Sequence, residues 1–238
     1  MKLKNALMAT TLAVGLALAG GSAFAADMPM PGVMQAPPPP AMDMYVSVFA
    51  GAAFGMDVNG TYHTSPTTTA SFKMPLETGY VVGAAIGTHV MPNLRAEVEL
   101  SYASRNVTGT LFYPSNGTSS SDTGSFSTLY LLGNLWYDFD TGGGFTPYIG
   151  GGIGLAVLMP NVTDIGGAGF DYTTNSVAGA AQLGAGVKVN VSDSIALDVG
   201  YRAKFVFNGT LTGSGGQGDV TNANFVDQSI QAGLTFSF

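Results

Sequence analysis

The 238-residue chain has few charges for its length, because charged residues make up 10% of it against about 25% in an ordinary soluble domain, and its mean hydropathy is +0.27. The formal net charge of −7 argues against a nucleic acid as partner. The chain has no cysteine, which excludes a disulfide framework.

The N-terminus has the pattern of a secretory signal peptide. Two lysines within the first four residues precede an apolar run at 6–18, and small residues follow as far as Ala25. This run is shorter than the ~20 apolar residues that a membrane-spanning helix needs. We therefore expect residues 1–25 to be a signal peptide that is cleaved between Ala25 and Ala26, with export from the cytoplasm.

Residues 26–43 form a segment rich in methionine and proline, with four consecutive prolines at 37–40. Proline cannot donate a hydrogen bond to a β ladder and favours extended, solvated backbone. We expect a periplasmic arm rather than part of a folded domain. A thioether site for a soft metal is the alternative, although no histidine or cysteine lies nearby.

From Met44 onward the chain repeatedly alternates apolar and polar residues with a period of two, which is typical of strands that have one face in an apolar medium. Eight such strands are predicted, at 44–54, 79–89, 94–104, 126–139, 145–157, 175–191, 195–205 and 229–238. The connections after the first, third, fifth and seventh are long and rich in Thr, Ser, Asn and Gly, whereas the other three are short. Bacterial outer-membrane barrels combine an even strand number with short inner turns and long outer loops. The sequence thus predicts an all-β fold over residues 44–238, an eight-stranded antiparallel up-and-down transmembrane β-barrel with four long outer loops.

The third predicted strand indicates which face points outward. Its apolar residues, from Leu94 to Tyr102, alternate with a polar set that includes three charges. A water-soluble ligand-binding barrel is the rival fold, but it would turn apolar side chains inward and charges outward. Charge-free faces of Val, Leu and Ile in every predicted strand favour lipid on the outside. Aromatic residues near the strand ends fit two interfacial girdles: Tyr80, Tyr102, Tyr137, Phe139, Phe205, Phe236 and Phe238.

On this register four acidic and four basic residues face the barrel interior: Arg95, Glu97, Glu99, Asp138, Lys188, Asp198, Arg202 and Lys204. An eight-stranded barrel is just wide enough for its side chains to fill. We therefore expect these charges to pair with one another and to plug the interior. A gated or narrow ion path through the same residues is the alternative.

Several short motifs resemble the small eight-stranded outer-membrane barrels of Gram-negative bacteria, of the OmpA-barrel, OmpX and opacity-protein type. They are the run 147–152, the triplets 137–139 and 200–202, and the terminal Phe238, and the resemblance extends from Met44 to the end. It implies a surface protein in the lipid and lipopolysaccharide of the outer membrane. It also implies that Phe238 is the sorting signal read by the barrel assembly machinery.

No cofactor is expected, because the sequence shows no metal-ligand spacing and no phosphate-binding turn. Lipid-modifying enzymes need a histidine or comparable base beside a serine at the outer rim. His89 falls at the inner end of a strand, and His63 lies in the first loop without a neighbouring acid, so we predict no enzyme. The predicted function is structural, with the outer loops binding an extracellular ligand; the alternative is a small porin-like channel or transporter.

Overall fold

The computed structural model describes residues 44–55, 57–65, 68–74, 76–113, 118–164, 173–212 and 220–238. The predicted signal peptide 1–25 with its cleavage site at Ala25 and Ala26, and the predicted arm 26–43, lie outside these residues. Within them, no helix is long and apolar enough to cross a membrane.

The regular structure of the described residues consists of β-strands. Their bounds are β1 Met44–Gly55, β2 Val58–Ser65, β3 Thr68–Met74, β4 Thr78–Met91, β5 Leu94–Tyr113, β6 Thr118–Asp138, β7 Phe145–Asp164, β8 Ser176–Asn190, β9 Ile195–Leu211 and β10 Val220–Ser237.

Eight of these strands close into a ring in the order β1-β4-β5-β6-β7-β8-β9-β10, with β10 hydrogen-bonded back to β1. Each neighbouring pair in the ring is antiparallel. Closure removes the unpaired sheet edges that a bilayer does not tolerate. The predicted eight-stranded up-and-down barrel is confirmed.

The register gives the stagger of the strands. Paired residues, followed once around the ring from Ser104 on β5, return to β5 at Leu94, ten residues away. With ~4.8 Å between strands and ~3.3 Å per residue, this stagger tilts the strands by about 40° from the barrel axis. Each residue therefore advances by roughly 2.5 Å along the axis.

The outer face of the wall carries half-exposed apolar side chains on all eight strands of the ring. Examples are Val48, Ile86, Leu100, Leu131, Ile149, Leu183, Val199 and Ile230, each between 45% and 61% exposed. So much apolar surface would be costly in water, and it matches the lipid-facing band expected for a membrane barrel.

The ladders continue well beyond the outer ends predicted from the sequence. Strand β5 reaches Tyr113 rather than residue 104, and β10 begins at Val220 rather than residue 229. The first outer connection contains a hairpin of β2 and β3, and β2 pairs with β10. These segments lack the apolar alternation because they lie beyond the bilayer, where neither face needs to meet lipid.

Two bulges interrupt the pairing of β9 with β10 near the outer end. The register shifts between Val220 and Phe225, and Asn208 and Asn222 adopt φ angles of 59° and 52°. Asparagine tolerates this left-handed region better than most residues. The bulges therefore interrupt the regular ladder at the outer end of this strand pair.

Candidate functional site: the barrel interior

The barrel interior divides into two halves of different chemistry. On β5 the inward residues at the short-turn end are Arg95, Glu97, Glu99 and Ser101, whereas Ala103 and Val107, with Arg105 between them, follow toward the long-loop end. The other strands change in the same direction, for example from Lys188 to Ala180 on β8 and from Thr235 to Phe225 on β10. We call these regions the polar half and the apolar half.

The polar half contains a buried pair between Arg95 and Asp138. The Nε and Nη2 atoms of Arg95 donate to the two carboxylate oxygens of Asp138 at 2.7 and 2.8 Å. The Nζ atom of Lys188 lies 3.7 Å from the same carboxylate. The Arg95 guanidinium also lies 5.5 Å from the ring centre of Tyr45 and 5.3 Å from that of Tyr148. Bidentate geometry and aromatic contacts together offset part of the cost of burying these charges.

A second buried pair joins Lys204 to Glu99 on strands separated by the width of the interior. The Lys204 Nζ atom donates to Glu99 Oε1 at 2.7 Å and to Ser101 Oγ at 2.6 Å. The other oxygen of Glu99 accepts hydrogen bonds from Gln182 Nε2 and Asn134 Nδ2, both at 3.0 Å. Since each carboxylate oxygen has donors, the network ties β5, β6, β8 and β9 together.

Glu97 is held by neutral donors. It accepts hydrogen bonds from the Tyr45 hydroxyl at 3.1 Å and from Asn134 Nδ2 and Trp136 Nε1 at 3.2 Å each. Among the described residues, no cation lies within 4 Å of it. This environment differs from the direct ion pairing that the sequence predicts for all eight charges.

Arg202 and Asp198 are joined through a tyrosine rather than directly. The Arg202 Nη2 atom donates to the Tyr148 hydroxyl at 3.0 Å, and that hydroxyl donates to Asp198 Oδ1 at 3.0 Å. The Arg202 guanidinium also lies 4.2 Å from the ring centre of Trp136. The structure thus places all eight predicted charges in the interior, but it pairs only five of them within 4 Å.

A third buried pair was not predicted from the sequence. The Nη2 atom of Arg105 donates to Asp227 Oδ1, and the Tyr130 hydroxyl donates to Asp227 Oδ2 at 2.9 Å. Both residues lie beyond the predicted strand ends and were assigned to loops. The odd-numbered inward alternation of β5, continued from Arg95, is the signal that would have found Arg105. With this pair, the described residues place five acidic and five basic side chains in the interior.

The apolar half was not predicted from the sequence, from which we expect paired charges to plug the interior. Its buried cluster comprises Ala53, Val58, Val81, Ala103, Val107, Phe126, Tyr130, Leu132, Ala156, Leu158, Val162, Ala178, Ala180, Val206, Leu211, Val220, Ala223 and Phe225. The rings of Phe126 and Phe225 meet edge to face, with centres 5.4 Å apart. Many of these side chains come from strand segments beyond the lipid-facing band, so the sequence pattern gave them no inward assignment.

Two small cavities lie in the polar half. One of about 30 Å³ is bordered by Glu97, Trp136, Arg202 and Gln231. The other, of about 40 Å³, lies at the short-turn end beside Tyr45, His89, Asn190 and Asp193. Arg95, Lys188 and Thr235 border both. Since one water needs roughly 10–15 Å³, the cavities have room for about two to four waters each.

Glycines in β7 make room for this packing. An added Cβ at Gly150 would collide with the Trp136 side chain, and one at Gly152 would collide with the Asn134 side chain. The closely spaced glycines of β7 therefore serve the crowded interior of the barrel.

Comparisons with known proteins agree with this architecture. A family model described as "Outer membrane protein beta-barrel domain" matches residues 35–238. The outer membrane protein PagN of Salmonella typhimurium is 38% identical over 78 residues, which is 32% of this chain and 32% of that protein. The match therefore spans about a third of the length of that relative.

Two solved structures match most of the chain in length. The outer membrane protein OprG from Pseudomonas aeruginosa is 14% identical, with a TM-score of 0.54 over 83% of this chain and 96% of the other. Neisserial surface protein A is 19% identical, with a TM-score of 0.47 over 82% and 97% of the two chains. At these identities the likeness to OprG concerns the fold alone.

Proposed function

Because the chain belongs to the outer membrane protein β-barrel domain family, we propose that it is an outer-membrane barrel whose interior is closed to solutes and whose role is structural and surface-directed. The alternating wall and the closed ring support membrane insertion. The packing and the ion pairs of the interior support a barrel that is closed to solutes.

The observation that carries this proposal is the apolar cluster stacked on the ion-paired polar half. Phe126, Leu158 and Phe225 are at most 3% exposed, and below them Glu99 and Lys204 are each 2% exposed. An ion that crossed the barrel would have to displace packed apolar side chains, and the charged residues buried among them, Arg105 and Asp227, already hydrogen-bond each other. Desolvation therefore opposes passage through the apolar half more strongly than through the polar half.

Single-channel recording in planar bilayers tests whether the barrel interior is closed to ions. We expect no stable openings from the purified barrel at voltages that open general porins. Stable openings with a defined conductance would contradict the proposal.

A small channel or transporter is the second candidate, favoured by the polar cavities that share Arg95 and Lys188 and extend toward the short-turn end. Under that alternative, any openings would change in conductance or ion selectivity when Glu97→Gln or Arg202→Met is introduced. Openings unaffected by either substitution would point to a leak outside this pathway.

The surface-directed role is proposed for the long-loop end, which faces outward in this family of barrels. Five of the six lysines and arginines after residue 43 lie inside the barrel: Arg95, Arg105, Lys188, Arg202 and Lys204. Acidic residues dominate the outer segments, including Asp57, Glu77, Asp122 and Asp164. We propose an extracellular ligand that is neutral or basic, beside lipid and lipopolysaccharide as the surrounding partners.

Assembly is proposed to depend on Phe238, recognised by the barrel assembly machinery. Its side chain is 74% exposed, and its backbone N–H donates to Met44 O at 2.9 Å. Deleting Phe238 should lower the outer-membrane yield while leaving refolding in detergent intact. An unchanged yield would contradict the sorting role.

An enzymatic role is not part of the proposal. His89 lies at the short-turn end, 4.0 Å from Asp138, on the opposite side from an outer-leaflet substrate. Incubation with labelled phospholipid should therefore give no product, whereas turnover abolished by His63→Ala would overturn this view.

A further inference from the structure

One side chain on the lipid-facing wall formed by β6, β7 and β8 is more exposed than the others. Ile153 on β7 is 76% exposed, the highest value among the large hydrophobic side chains of the described residues. Its cross-strand neighbours are Gly133 on β6 and Ala181 on β8. Because neither neighbour is large enough to flank it, Ile153 stands out from the wall.

Beside this projection lies a glycine that the barrel itself does not need. A Cβ added at Gly133 would meet a single atom within 4 Å, the Ile153 carbonyl oxygen at 3.9 Å. The outward-facing Gly151 differs, because a Cβ there would collide with the backbone of Gln182. A glycine within a strand costs conformational entropy, and it often marks a place where another surface approaches closely.

Gly133 is also part of a lipid-facing groove. The groove has a volume of about 440 Å³ and is bordered by Ile86, Ala96, Val98 and Leu135. The projection and the hollow therefore lie side by side on the same wall, one strand apart.

We propose that this face, defined by Gly133, Ile153 and Ala181, is the interface between two copies of the barrel in the membrane. A two-fold axis along the membrane normal, passing between Gly133 and Ile153, brings the Ile153 of each copy toward the Gly133 hollow of the other. The Cα atoms of directly paired residues such as Gly133 and Ile153 are about 5 Å apart. This distance is the width of one side chain, so the Ile153 side chain of one copy can lie beside that of the other.

Packing is the force that such an interface requires. Lipid tails are as apolar as isoleucine, so association in a bilayer gains little from burying apolar surface and depends on close fit. An acyl chain would fill the groove, but it would not account for the projection next to the unneeded glycine. A second copy accounts for both.

Cross-linking tests the interface directly, since the chain has no cysteine to remove. Ile153→Cys and the control Ile230→Cys are placed singly and oxidised in vesicles at high lipid excess. The register and tilt place Ile230 at about the same depth, three strands away, with 54% exposure. We expect roughly tenfold more disulfide-linked dimer at position 153 than at position 230. Equal yields at the two positions would overturn the proposal.

Energy transfer between copies labelled at Ser192→Cys, in an exposed short turn, leaves the interface itself unlabelled. Ile153→Ala removes the projection and Gly133→Leu fills the hollow. Each should weaken dimerisation about tenfold, and Ile230→Ala should leave it unchanged. A change in electrophoretic mobility on heating confirms that each variant is folded. If Gly133→Leu does not fold, Ile153→Ala alone tests the interface. Transfer that is absent in the parent barrel, or equal in all variants, would mean that lipid alone covers this face.

Discussion

The polar and apolar halves of the interior solve the same packing problem by different means. In the polar half, charged side chains fill the barrel and depend on one another, because each buried charge requires a nearby counter-charge or donor. In the apolar half, side chains such as Phe225 fill the barrel through shape and depend on volume. The comparison indicates that the two halves should respond differently to the loss of a single side chain.

The largest effect is expected in the polar half. Lys204→Met leaves Glu99 as an uncompensated buried charge, and we expect the free energy of unfolding to fall by about 3 to 5 kcal/mol. Urea titration in vesicles, followed by the fluorescence of the single tryptophan Trp136, measures this change. The double variant Glu99→Gln, Lys204→Met should recover most of the loss, and no recovery would contradict an electrostatic cause.

In the apolar half the loss should follow volume instead. Phe225→Ala removes a side chain that is 3% exposed, and we expect a decrease of about 3 to 4 kcal/mol in the free energy of unfolding. Phe225→Leu, which retains most of the volume, should cost clearly less. If the two substitutions cost the same, packing is not what stabilises this half. The same urea titration provides the measurement.

A lipid-facing position gives the next effect. Leu100→Arg places a charge in the apolar band, and we expect a cost of about 2 to 4 kcal/mol if the residue is near the bilayer midplane. The same substitution at Phe139, at the edge of the band, should cost only about 0 to 1 kcal/mol. Equal costs at the two positions would contradict the assigned depth.

The smallest effect separates a closed polar half from a solvent-filled one. At 1 M salt the screening length is ~3 Å, but ions cannot screen pairs that they do not reach. We expect the free energy of unfolding to change by less than ~0.5 kcal/mol between 0.1 and 1 M salt. A decrease of several times this size would show that bulk ions enter the polar half, as the channel alternative requires.

The wall was predictable from the sequence because the bilayer imposes a period of two on every spanning strand. Leu100 and Glu99 could be assigned to opposite faces from alternation alone, and the structure agrees. Outside the bilayer this constraint disappears. The hairpin of β2 and β3 and the outer part of β5 therefore lack the apolar outward face from which the spanning segments were predicted.

The interior was predictable only in composition. Alternation placed Arg202 and Asp198 inside, but it carries no information on which side chains meet across the barrel. That they meet through Tyr148 follows from the stagger of the strands, which no local pattern encodes. Arg105 was not predicted as an interior residue for a simpler reason, because the predicted strand ended one residue before it.

The confinement of basic side chains to the interior has a consequence for how the surface can be attacked chemically. Five of the six lysines and arginines beyond residue 43 have their side chains inside the barrel: Arg95, Arg105, Lys188, Arg202 and Lys204. A protease that cleaves after basic residues, or a reagent that modifies side-chain amines, therefore cannot reach these five side chains in the folded barrel. Unfolding should make them reactive, so each reagent reports on the opening of the barrel.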